Sequence, residues 1–349
     1  MASTFLRPVI RTSSLAYRPE LDGLRALAIT AVVAAHLGLF SYGPNGVDFF
    51  FVLSGFLITD VLLKLRDGDR SLRTFWIGRI ARLTPILIIN VVIGSILSCL
   101  FLRSTFHLSQ PLSALFYVKN FFIASPLYHD VWAPTWTLAA EEQFYLIWPL
   151  IIFFLAKRMR VVTFILVIVI YFLGIHGILD LMRNFYGHLN PEGMLSDGLA
   201  GKVVQVIIRP SEILLGALIT LHRKNFGPPI VFYFIGANFA GIFYGIDGST
   251  QTALLSGLTL SLLELKIWPS NILRQILSFK PLVVVGVLSY SIYLWHTLIF
   301  EVVFSQFGRS SALKLAIVAL TLLVSYVSYV YVELPLQKVI KHRALGWTK

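Results

Sequence analysis

Cysteine is nearly absent: Cys99 is the only one in 349 residues. That excludes a disulfide within the chain and a cysteine-built metal site. Set in an apolar run, Cys99 is expected to pack as a small buried hydrophobe. Charge is scarce as well. Only 13% of residues are charged, about half the share of a typical soluble domain, which is roughly 25%. Acids are the scarcest of these, 17 against 29 Lys and Arg, for a net charge of +12. That excess does not point to nucleic acid, because the chain has no RNA- or DNA-binding motif and no basic stripe interleaved with aromatics. The first 20 residues lack the apolar core of a cleavable signal peptide. With Arg7, Arg11 and Arg18, they are expected to form a cytoplasmic tail. No internal repeat or low-complexity segment is visible.

What the chain has instead is apolar length. Hydrophobic residues make up 57% of it, gathered in stretches of about 20, the length that crosses a bilayer as a helix. The pattern predicts an all-α polytopic membrane protein, a single domain over 1–349. Ten spans are expected, at 24–42, 47–65, 83–102, 138–156, 161–180, 206–222, 229–246, 252–265, 281–304 and 311–334. The shorter apolar piece 112–124, which holds Lys119, reads as re-entrant or interfacial. Charge placement sets the direction. With a cytoplasmic N-terminus, only Arg103, Lys119, Arg183, Lys202, Arg209, Arg309 and Lys314 of the 29 Lys and Arg fall on the opposite side. The remaining 22 flank the spans in cytoplasmic segments, as the positive-inside rule requires. Both termini, 1–20 and 335–349, are therefore expected in the cytoplasm.

The few ionisable residues inside or beside spans are the functional candidates, because burying such a group in a membrane is costly. His36 sits in the first span, eleven residues after Arg25. That is roughly 16 Å along a helix, which puts Arg25 at the cytoplasmic edge and His36 deeper. Histidine exchanges protons near neutral pH; the alternative is a packing histidine. Arg79 and Arg82 form an Arg-x-x-Arg before the third span. Residues three apart share a helix face, and paired guanidiniums suit a polyphosphate, although flanking positive charge is the plainer reading. With Arg25 they form a candidate site for an anionic cytoplasmic donor. On the outer side, Glu141 and Glu142 open the fourth span, and Glu141 is a candidate to orient His36 as an acid orients the base of a triad. Negative charge near a helix N-terminus is also favourable for structure alone. Arg209 and Glu212 begin the sixth span, either as a structural ion pair or as acceptor contacts. Asp48, near the outer end of the second span, and His296, in the ninth, complete the candidates for acceptor binding with Glu142. For Asp48 the alternative is an interfacial polar residue, and for His296 a bonded core histidine. The small Ser54-Gly55 step in the second span allows close helix approach.

In order along the chain, these segments resemble the integral-membrane acyltransferase-3 family, whose members include O-acetyltransferases of O-antigen, exopolysaccharide and Nod factor and macrolide acyltransferases. The matching pieces are Arg25 with His36, Gly46 to Phe56, Arg79 with Arg82, Trp136 to Tyr145 with Glu141, Arg209 to Gly216, and Ser289 to His296. The resemblance implies a ten-helix enzyme of the cell (inner) membrane that takes an acyl group, usually acetyl, from acyl-CoA. The group passes to a hydroxyl of a carbohydrate, lipid-linked glycan or macrolide. No metal and no nucleic acid is implied; membrane lipids are the surroundings. Arg25, Arg79 and Arg82 would hold the CoA phosphates. His36 would act as base or as acyl carrier, with Glu141 fixing its tautomer. The rival from another class is a proton-coupled transporter or exporter using His36, Glu141 and His296 as a relay, and a third is a catalytically silent scaffold. About 15 residues follow the last predicted span, so the stand-alone form of the family is expected, without an added hydrolase-like domain.

Overall fold

Apolar runs of this length satisfy their backbone hydrogen bonds internally only as helices, and among the described residues every regular element is helical. The computed structural model describes residues 17–39, 44–102, 106–122, 130–154, 209–222, 231, 234–239, 248–265 and 270–346. The expected spans at 161–180 and most of 229–246 lie outside them. Three described helices are long and apolar enough to cross a membrane, at Gly46–Asp67, Leu72–Phe101 and Ser311–Leu345, and a bent pair, Lys280–Val287 with Ser289–Phe307, passes the same test together.

The helices are α1 (Pro19–His36), α2 (Pro44–Asp67), α3 (Leu72–Phe101), α4 (Ser109–Leu115), α5 (Trp136–Phe154) and α6 (Arg209–His222), followed by α7 (Gly248–Leu265), α8 (Ser270–Leu277), α9 (Lys280–Val287), α10 (Ser289–Phe307), α11 (Ser311–Ser328) and α12 (Leu334–Leu345). Several bounds depart from the apolar pattern for one reason: hydropathy marks the lipid-facing length, and helices run on past it. Thus α3 begins at Leu72 rather than near 83, so Arg79 and Arg82 stand on the helix itself. The expected span 281–304 is two helices, bent by 67° after Val287. The last span does not stop at 334. It passes through a five-residue π turn, Tyr329–Glu333, into α12, so most of the expected tail is helical. Cys99 is exposed on α3 rather than buried.

The chain divides into two compact units, one of residues 1–47, 71–111 and 266–349, the other of 48–70 and 112–265. In the first, α1 packs on α8, α9 and α10, α10 on α3 and α11, and α12 on α3. Contact between α1 and α9 requires a residue without a side chain, since a Cβ on Gly286 would stand 1.7 Å from the Asp22 carbonyl oxygen. This contact fixes the end of α1 that carries Asp22 and Arg25. Two polar ties hold α10 to α3: the Tyr290 hydroxyl donates to the Leu83 carbonyl at 2.8 Å and the Asn90 amide to the Leu294 carbonyl at 3.0 Å.

In the second unit α6 packs on α5 and α7, and α2 meets α6 back to back. A Cβ on Gly55 would lie 1.7 Å from the Ile213 carbonyl oxygen, and one on Gly216 would lie 1.7 Å from that of Val52. Small residues at a membrane helix crossing let backbones approach this closely. The Thr220 hydroxyl donates to the Phe56 carbonyl at 2.9 Å, and the Trp148 indole donates to Thr59 at 2.9 Å, which ties α5 to α2.

Candidate active site

The two histidines singled out from the sequence come together. His36 ends α1, His296 lies in the second turn of α10, and their ring centroids are 4.9 Å apart at 67°. Each ring is fixed by its own helix. His36 Nδ1 lies 2.9 Å from the Val32 carbonyl oxygen; His296 Nδ1 lies 2.8 Å from that of Tyr293 and 3.1 Å from that of Ile292. A carbonyl only accepts, so in both rings Nδ1 carries a hydrogen, and in the neutral ring Nε2 is the acceptor. His296 is wholly buried, between the rings of Tyr293 and Phe300 as well as His36. Its Nε2 has no hydrogen-bond partner among the described residues. A buried acceptor left this way costs about 1–3 kcal/mol and calls for an explanation in function. His36 is exposed.

Eleven residues is close to three whole helical turns, so Arg25 stands on the same face of α1 as His36, roughly 16 Å toward the N-terminus. Arg25 donates to Asp22 at 3.1 Å. On α3, Arg82 lies within electrostatic reach of Arg25, Arg79, Asp22 and Tyr329. The three predicted arginines are thus brought to one place. Tyr17, just before α1, adds its hydroxyl to the Asp22 carboxylate; burial first, and then that neighbouring charge, hold its phenol above the usual value. Glu333, on the π turn, accepts from the wholly buried Ser291 of α10 and is itself within reach of Arg82. Glu333 was missed in the sequence, although an acid inside the last apolar span was the available signal.

The predicted carboxylates belong to the second unit. Glu141 accepts from the Ser54 hydroxyl at 2.8 Å and from the Tyr145 hydroxyl at 3.1 Å. Neither partner was anticipated. The hydrogen on His36 is fixed by the Val32 carbonyl, the task expected of Glu141. Asp48 and Glu212 are buried and Glu142 is half-buried; Arg209 is the first residue of α6. The short piece expected to be re-entrant or interfacial forms α4 and a 3-10 turn, Lys119–Phe122. There Lys119, fully buried, pairs with Asp130. Burial lowers its ammonium below the ordinary lysine value against the opposing pull of that carboxylate. Beside it Asn120 and Gln143 exchange amide hydrogen bonds at 2.9 and 3.1 Å.

An arginine cluster thus stands at one end of a helix face and two imidazoles at the other. The chain belongs to the acyltransferase domain family, whose profile it matches over residues 18–330. It is 29% identical to the O-acetyltransferase OatA of Staphylococcus aureus over 92% of this chain and 57% of that protein. It is 32% identical to the peptidoglycan O-acetyltransferase OatA of Listeria monocytogenes over 92% of this chain and 56% of that protein. The chain thus spans a little over half the length of these curated relatives. No solved structure matches it.

Proposed function

We propose that this chain is a multi-pass inner-membrane O-acetyltransferase, with ten spans and both termini in the cytoplasm. It would take an acetyl group from cytoplasmic acetyl-CoA and pass it to a carbohydrate hydroxyl. The observation that carries this reading is the shared face of α1: Arg25, joined by Arg79 and Arg82, at one end and His36, paired with His296, at the other. The arginines suit the donor's phosphates, as forks that bind phosphate oxygens. The acyl-bearing arm would run along α1 to His36.

His36 Nε2 removes the acceptor hydroxyl's proton as that oxygen attacks the thioester carbonyl. The tetrahedral adduct collapses, the C–S bond breaks, and the thiolate leaves with the proton from His36. Asp48, Glu142, Arg209 and Glu212, on the unit with Glu141, are the proposed acceptor contacts. The Listeria relative's name supports a glycan acceptor, peptidoglycan in particular; lipid-linked glycans and macrolides offer the same hydroxyl chemistry.

Isolated membranes carrying the protein, given acetyl-labelled acetyl-CoA, should release free CoA and label a glycan fraction. His36→Ala membranes should do neither while keeping the protein inserted. Equal labelling by His36→Ala would overturn the assignment. Flux coupled to a proton gradient without CoA release would favour a transporter instead.

A further inference from the structure

The π turn at Tyr329–Glu333 adds a residue to the turn that joins α11 to α12. One extra residue rotates everything after it by about 100° around the helix axis, and π turns recur at functional sites. This one lies at the end of the family match, which stops at residue 330, so α12 stands beyond the part of the chain that the family describes. The segment Leu334–Leu345 carries Lys338, Lys341, His342 and Arg343 and no acid. Cations in a last helical turn are favoured by the helix dipole, which suffices for His342 and Arg343, both exposed. It does not suffice for Lys341. That residue is half-buried on a helix packed against α3, within electrostatic reach of Arg82. Among the described residues it makes no hydrogen bond or ion pair.

Lys341 and Arg82 are like charges brought together on two packed helices. With Arg25, three cations share this place with two carboxylates; Asp22 is paired with Arg25, which leaves Glu333 alone against Lys341 and Arg82. Partly buried surplus charge is stable only with a counter-charge. We propose that Lys341 and Arg82 together form a phosphate subsite, where the C-terminal helix crosses α3. Its ligand is a phosphate group, supplied by the nucleotide part of the acyl donor. Only the identity of that donor rests on the function proposed above; an anionic lipid headgroup could present the same group.

The test is binding to the full chain in phosphatidylcholine nanodiscs, titrated separately with CoA and with inorganic pyrophosphate. The variants are Lys341→Gln, Lys341→Arg and, as a control on the exposed side of the same helix, Lys338→Gln. Thermal melting checks that each is folded. Lys341→Gln should weaken CoA binding about tenfold, equivalent to about 1.4 kcal/mol. Lys341→Arg should stay near the parent, and Lys338→Gln should change binding less than about twofold. Equal CoA affinity in Lys341→Gln and the parent would overturn the subsite and leave the donor reading intact. Pyrophosphate binding that Lys341→Gln weakens, with no binding of CoA, would support the subsite and overturn the donor reading. Binding of neither overturns both. Repeating the titration with phosphatidylglycerol in the discs identifies the source: if that lipid removes the difference between Lys341→Gln and the parent, the headgroup is the natural occupant.

Discussion

The candidate-site residues differ in kind between the two units: mainly arginines and histidines in the first, mainly carboxylates in the second. In the first, two of the groups proposed to work have no protein partner among the described residues: the Lys341 ammonium and Nε2 of His296. In the second, several of the polar side chains at the candidate positions bond one another. Glu141 is taken by Ser54 and Tyr145, Asn120 and Gln143 bond each other, and Trp148 is bound to Thr59. A buried polar group that is satisfied stabilises; one that is not is a cost kept for another reason. The difference sets the proposed donor and base groups of the first unit against a bonded Glu141 in the second.

The sharpest way to break this contrast is His36→Ala. Loss of a general base should lower acetyl transfer by about 10²–10⁴-fold, with the melting temperature little changed because the ring is exposed. Labelled-acetate incorporation in membranes measures it. Gly216→Ala should come next and act on the fold instead. Its Cβ would meet the Val52 carbonyl at 1.7 Å, so the α2–α6 crossing must open, at a cost of about 1–3 kcal/mol or more. A lower melting temperature in detergent checks this; unchanged melting would mean that the two helices are not held this closely.

Legibility followed the same line. The residues of the first unit could be read because an ionisable group in an apolar run stands out: Arg25, His36, Arg79, Arg82 and His296 were all visible and are brought together as cations at one end and imidazoles at the other. What fixes them was not visible. The carbonyls of Val32 and Tyr293 that fix the histidine hydrogens belong to backbone, which no composition reveals. The bend after Val287 and the π turn at Tyr329–Glu333 interrupt apolar runs that hydropathy reads as unbroken. Lys341 looked like one more flanking cation, because its nearness to Arg82 depends on how α12 packs on α3. Glu141 was found by its scarcity, whereas its partners Ser54 and Tyr145, 87 and four residues away in sequence, carry no charge to mark them.

Two milder substitutions test the contrast from both sides. His296→Phe keeps a ring of similar size among Tyr293, Phe300 and His36 while removing the unpartnered buried nitrogen. The comparison predicts slower transfer, by roughly tenfold or more if Nε2 takes part in proton movement, together with a melting temperature equal to the parent's or higher. Tyr145→Phe is the counterpart in the second unit. It deletes one of the hydroxyls that satisfy Glu141, so it should cost about 1 kcal/mol of stability and reduce transfer by less than His296→Phe does. Melting curves and initial rates for the two variants, measured side by side, decide it. If Tyr145→Phe slowed transfer more than His296→Phe with no loss of stability, the carboxylate of the second unit would be the chemical partner and the imidazole of the first a packing residue.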